Sequence, residues 1–208
     1  GNHLLGRVID SLGRPVDGRS LHCSNLTPQY SGRLIAPLDR NPISESLDVG
    51  VRAINGTLTL AKGQRVALIA GSGVGKSTLL GMMTRQTRAD VVVVALIGER
   101  GREAGEFISE ILGPSGLEKS VVVLATSDAT SVMRRRAADT AHLIAEYFRD
   151  QGKDVLLLCD SLTRVAHAQR EIGLAAREPP TSKGYPPSVF GDLPKMMERG
   201  GCSDADGT

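Results

Sequence analysis

Hydrophobic and polar positions change their rhythm near residue 51 of the 208-residue chain. Before that point turn signals outnumber periodic apolar positions. "LGRVIDSLGRPVDGR" predicts a strand, a Gly-Arg-Pro turn and a return strand. Pro28, Pro37 and Pro42 forbid a continuous helix through the stretch that follows. Residues 1–50 read as a short β-rich lead-in that lies on a larger body. Beyond them the apolar runs lengthen. "QRVALIA" (64–70) predicts a strand and "KSTLLGMMTRQTR" (76–88) a helix. "ADVVVVALIG" (89–98) lacks alternation, as expected of a strand buried on both faces of a parallel sheet. "REAGEFISEILG" (102–113) predicts a helix with Gly113 near its end and Pro114 just beyond. "KSVVVLATSD" (119–128) is another such strand. Ala137, Ala141, Ile144, Ala145 and Phe148 sit at helical spacing within 131–150. "KDVLLLCDS" (153–161) and "LTRVAHAQREIGLAA" complete the series with a strand and a helix. Successive strand–helix units imply an α/β fold, a mainly parallel sheet flanked by helices on both faces. No internal repeat or low-complexity segment is visible.

The turn between 64–70 and the helix after it reads "AGSGVGKST" (70–78). A phosphate-binding loop has the pattern G-x-x-x-x-G-K-[ST], and here Ala70 holds the first position. That position marks where the strand turns, and alanine is small enough for it, with Gly71 adjacent. Gly73 and Gly75 free the backbone so that successive N–H groups point at an anion, reinforced by the helix N-terminus that follows. Lys76 brings a point charge to the β- and γ-phosphates, and the Ser77 hydroxyl is of the type that ligates Mg²⁺.

Hydrolysis of a γ-phosphate needs a held metal ion and an oriented water. Asp160 ends the run "VLLLCD", where an acid beside the loop would serve the metal; an Asp there is also a common helix N-cap. Glu99 and Arg100 follow directly on the run 91–97, so they emerge at the end of the sheet where ligands bind in open α/β folds. Glu99 either polarises the attacking water, or joins Arg100, Arg102 and Glu103 in a solvated, salt-bridged turn. The residues alone leave both readings open.

Composition narrows the partners. Aromatic residues are 3% of the chain with no Trp, and the net charge is +2, so neither base stacking nor electrostatics argues for nucleic acid or an anionic membrane. The three cysteines, Cys23, Cys159 and Cys202, form no C-x-x-C pair or Cys/His cluster of metal-ligand spacing. Cys159 reads as a buried core thiol. His142 and His167 read as satisfied helix residues, Arg134-Arg135-Arg136 as a solvated helix face, and Met82-Met83 and Met196-Met197 as helix packing. No secretory leader is visible in "GNHLLGRVID", and "VVVVALI" is too short to span a bilayer. The expectation is a cytoplasmic protein. A start at Gly1 and a stop at "SDADGT" suggest a fragment.

Taken together, "LLGRVIDSLGRPVDG", "LDVGVRAING", "AGSGVGKSTLLGMM", "RADVVVVALIGERGRE", "IAEYFRDQGKDVLLLCDSLTR", "AQREIGLAAREPPTSKGYPPSVF" and "LPKMMERGG" resemble the ATPases of bacterial type III export, those of the flagellum above all. The injectisome ATPases share nearly all of these motifs, and the catalytic subunits of rotary ATP synthases share the core. The resemblance implies a RecA-like P-loop NTPase core using ATP and Mg²⁺. Gly71, Ser72, Gly73, Val74, Gly75, Lys76, Ser77 and Thr78 would hold the nucleotide. Lys76, Glu99, Arg100 and Asp160 would be catalytic, with Glu99 the catalytic glutamate, Arg100 next to the nucleotide, and Ser77 and Asp160 on the Mg²⁺ side. "GYPPSVF" (184–190) matches an exposed, stiff loop facing the pore of a ring.

By the same resemblance, 1–50 is the end of an N-terminal β-barrel with its linker, and 51–208 an ATPase domain incomplete at its C-terminal end. Later sheet strands, the adenine-contacting aromatic, an arginine finger and a helical domain would lie outside the chain. The implied activity is Mg-dependent ATP hydrolysis by a homohexameric ring energising protein export through the flagellar apparatus. Its partners would be export components, exported substrates and their chaperones. Its place would be cytoplasmic, peripheral to the inner-membrane export gate. An injectisome ATPase, a rotary ATP synthase-type subunit and a ring subunit that binds nucleotide without turnover are the alternatives. RNA-translocating termination helicases share the core fold, but the lead-in offers no aromatic platform for RNA.

Overall fold

Every residue of Val91–Ile97 is buried, and the rest of the molecule is arranged around this strand. The computed structural model describes residues 1–21, 35–71, 73–202 and 207–208. Its strands are β1 (Arg7–Asp10), β2 (Val91–Ile97), β3 (Ser120–Ala125) and β4 (Val155–Asp160), in the order β1-β3-β2-β4. All neighbours pair in parallel. The helices are α1 (Arg52–Thr57), α2 (Lys76–Gln86), α3 (Gly101–Glu106), α4 (Gly113–Glu118), α5 (Ser131–Arg149), α6 (Leu162–Ala175) and α7 (Pro187–Met197).

Adjacent strand residues point to opposite faces, and each face has its own core. Val91, Val93, Ala95 and Ile97 meet Ala137, Ala141 and Phe148 of α5 and Val165 of α6. Val92, Val94 and Leu96 meet Leu80 and Met83 of α2, with Phe107 and Leu112. This double burial explains the absence of alternation in the central runs. The α/β class with helices on both faces is as expected from the sequence.

Several local expectations are corrected. The run 64–70 belongs to no sheet: Val66 and Leu68 are exposed and Ile69 is 96% exposed. A strand needs a partner edge, and the outer edge of β4 is taken at its first residue by Thr208. There Val155 N donates to Thr208 O (2.8 Å) and Thr208 N to Lys153 O (3.2 Å). The sheet's fourth strand comes instead from within the lead-in, with Arg7 level with Val121. The predicted return strand is reduced to an antiparallel bridge between Ile9 and Pro15, with Val16 N donating to Val8 O.

The helix expected to end near Gly113 runs through α3 and a π-helical turn, Phe107–Leu112, and Gly113 (φ 65°, ψ 176°) breaks it there as expected; the short helix α4 follows at once. Pro114 lies in the first turn of α4, where no intrahelical N–H is required. Likewise "GYPPSVF" is only partly a loop. Pro187 opens α7, Pro186 is buried, and Tyr185 stacks on His167 while the Arg170 guanidinium lies over the Tyr185 ring, 5.4 Å from its centroid.

Arg134 and Arg135 are half-buried rather than solvated, while Arg136 is exposed; Arg134 pairs with Glu171 of α6 at 2.7 Å and Arg135 with Asp139 at 2.5 Å. Met196 is buried but Met197 is exposed. Pro28 and Cys23 lie outside the described residues. Among the described residues, no helix is long and apolar enough to cross a membrane. Val93 is fully buried at the centre of the sheet. Its truncation to alanine should cost about 2 kcal/mol and lower Tm by roughly 4–8 °C; thermal unfolding checks this, and an unchanged Tm would place Val93 outside the core.

Candidate functional site

The glycine loop reaches the sheet through a reversed backbone. Gly73 (φ 77°) and Gly75 (φ 95°) lie in the left-handed region that favours glycine. Gly75 is the N-cap of α2, and no side chain caps that helix. Its first N–H groups are therefore available to an anion, with the helix dipole behind them. Gly71, Gly73, Gly75, Lys76, Ser77 and Thr78 line one side of a cavity of about 620 Å³. Leu80 and Met83, one turn further on, anchor the helix in the core.

The other wall comes from the C-terminal ends of β2 and β4. Their register sets Leu96 beside Asp160, so the turn after β2 and the acid ending β4 emerge side by side. Asp160 is only 3% exposed, and its Oδ1 accepts a hydrogen bond from Lys76 Nζ, 84 residues earlier. Glu99, Arg100 and Glu103 line the cavity. Arg100 is the N-cap of α3 in extended backbone. Burial pushes the Glu99 carboxyl above the usual carboxylate range; the Asp160 charge and the Glu103 carboxyl act in the same direction, and Lys76 opposes them. Cys159, beside Asp160, is pushed up to about 12 by burial and then by that charge. It is an inert thiol, consistent with its reading as a core residue.

Two lining residues escaped the sequence reading. Arg164 and Gly98 belong to the same cavity wall. Arg164 lies in the first turn of α6, whose N-cap Ser161 accepts from the Arg164 N–H. A cation there opposes the helix dipole, and that misfit was the available signal. Gly98 (φ 74°) lets it approach: a Cβ on Gly98 would lie 2.8 Å from Arg164 Cβ.

Of the loop residues expected to hold nucleotide, Ser72 lies outside the described residues. Val74 is 68% exposed and does not line the cavity. Asp160 stands behind the lining and reaches the cavity through Lys76. Among the described residues no group of three or more His, Cys, Asp and Glu side chains forms a metal cage. One carboxylate, Asp160, and one hydroxyl, Ser77, fit Mg²⁺, which keeps several waters and is held jointly by protein and phosphate oxygens.

The model of the ATP synthase alpha/beta family, nucleotide-binding domain, matches residues 50–208. The flagellum-specific ATP synthase of Pseudomonas aeruginosa is 61% identical over 100% of this chain and 46% of its own. The type 3 secretion system ATPase of Xanthomonas euvesicatoria is 53% identical over 99% of this chain and 46% of its own. The chain thus spans about half the length of the curated relatives it matches. Among solved structures, the assembled ATPase EscN in complex with its central stalk EscO, from the enteropathogenic E. coli type III secretion system, superposes with a TM-score of 0.93. It is 50% identical, covering 100% of this chain and 51% of that one.

The raised Glu99 carboxyl has a measurable consequence. It binds its proton more tightly folded than unfolded, so stability falls as pH rises through that window. Glu99→Gln removes the effect. Its Tm should exceed the native value at pH 7.5, by about 2–4 °C for each kcal/mol recovered. The gain should vanish below about pH 4, where the glutamate is protonated in both states. A variant melting at or below the native temperature at pH 7.5 would refute this electrostatic description.

Proposed function

Because the chain belongs to the ATP synthase alpha/beta family through its nucleotide-binding domain, we propose that it hydrolyses ATP with Mg²⁺ as the nucleotide-handling part of a protein-export ATPase. One observation carries the reading: the phosphate-loop lysine and the acid ending β4 meet at the C-terminal edge of the sheet, on a cavity that Glu99 also lines. The roles follow from chemistry. Backbone N–H groups of 71–78, the start of α2 and Lys76 bind the triphosphate. Ser77 and Asp160 would hold the Mg²⁺ side, and the ion would supply positive charge to the triphosphate. Glu99 accepts the proton of the attacking water, and its raised affinity for protons suits a base working near neutral pH. Arg100 and Arg164 bring positive charge to the γ-phosphate side of the cavity.

The larger setting is part of the same proposal. Identity is higher to the flagellum-specific relative than to the type 3 secretion relative, which favours a flagellar export system over an injectisome. EscN, the solved neighbour, is an assembled ATPase with a stalk, which supports a homohexameric ring for the whole protein. Export components and chaperone-bound substrates would be its partners, and the cytoplasmic side of the membrane export gate its location. The division into a lead-in, 1–50, and an ATPase domain, 51–208, belongs to this proposal too, with β1 of the lead-in joined to the domain's sheet.

Turnover of Mg-ATP by the native chain should exceed that of Lys76→Ala. Glu99→Gln should lower it by at least about a hundredfold while sparing ATP binding. Native turnover at the Lys76→Ala level would remove hydrolysis from this chain, and undiminished turnover in Glu99→Gln would remove Glu99 as the base.

A further inference from the structure

The Lys76–Asp160 ion pair sets the loop's cation against the very carboxylate that would serve a metal ion. We infer that this pair is a latch that makes nucleotide loading depend on the divalent cation: Lys76 is held on Asp160 until a metal ion takes over the carboxylate, and only then turns to the phosphates. The inference rests on the proposed nucleotide site.

Its physical basis is the asymmetry of the two partners. Asp160 is nearly inaccessible at the end of β4, whereas Lys76 is partly exposed on the first turn of α2. A buried carboxylate left without a cation is strongly destabilising, so Lys76 cannot leave for a phosphate unless another positive charge replaces it. Metal-free ATP brings only negative charge. It must draw Lys76 away and leave Asp160 unpaired while lying close to both Asp160 and the Glu99 carboxyl. Metal-bound ATP brings the replacement with it. One exchange of partners then serves both sites, and no free Mg²⁺ site is required, in keeping with the absence of a carboxylate cage among the described residues.

The pair also explains how the loop keeps its place without a paired strand at 64–70. It joins the start of α2 to the end of β4.

The test is equilibrium binding of a fluorescent ATP analogue to the native chain, Asp160→Asn and Glu99→Gln, each in EDTA and in excess Mg²⁺. Asparagine keeps the shape of Asp160 but removes the negative charge that holds Lys76. Asp160→Asn should bind the metal-free analogue about tenfold more tightly than the native chain, and its gain in affinity on adding Mg²⁺ should shrink. Glu99→Gln, which also removes one negative charge from the cavity but holds no lysine, should show a clearly smaller gain in EDTA. Metal-free affinity unchanged in Asp160→Asn, or raised equally in both variants, overturns the latch. A native chain that binds the analogue in neither condition refutes the nucleotide site itself, a separate failure. The native protein offers a second readout in the absence of nucleotide. Lys76 should react with acetic anhydride at least about fivefold more slowly than exposed Lys183 and Lys195, given its charge-assisted hydrogen bond; equal rates contradict a held lysine.

Discussion

The ion pair between Lys76 and Asp160 is the constraint on which the site depends. It joins two segments 84 residues apart in sequence, one at the start of a helix and one at the end of a buried strand. Each partner solves a problem for the other. Asp160 would be an uncompensated charge at the edge of the core, and Lys76 would be a long side chain free to wander over an open cavity.

The rest of the fold serves to deliver these groups to one place. Val91–Ile97 is buried on both faces and paired in a defined register with β3 on one side and β4 on the other. That register fixes where the chain leaves the sheet, and the charged turn Glu99–Arg100 emerges beside the end of β4. On the opposite side α2 is held by Leu80 and Met83, so the loop preceding it cannot move far. The cavity between is lined by the acids Glu99 and Glu103 and the cations Lys76, Arg100 and Arg164, with Asp160 behind Lys76. A polyanion carrying a divalent cation matches both signs at once.

Much of this was legible in the sequence where a local rule sufficed. The unalternating runs at β2 and β3 announced double burial, while β4, of the same pattern, is a half-buried edge strand; the helix periodicity of α5 survives in its buried alanines and Phe148. The loop pattern survived its Ala70, because the conformational burden falls on Gly73 and Gly75. What was not legible was non-local. Whether 64–70 becomes a strand depends on an edge being offered to it, and nothing within those residues says so. The place of β1 beside β3 is set by pairing across more than a hundred residues. Pro114 and Pro187 were read as breakers or loop formers, although each stands where a helix begins. Arg164 was overlooked because a lone arginine in a helix is unremarkable until its position against the helix dipole is considered.

The most direct measurement is a crystal structure of this chain with Mg²⁺ and a non-hydrolysable ATP analogue. The expected result has the phosphates cradled by 71–78, Lys76 Nζ moved from Asp160 onto a phosphate oxygen, and Asp160 facing the metal and its waters. An analogue bound outside this cavity, or one bound within it while Lys76 stays on Asp160, would contradict the exchange of partners on which the whole reading turns.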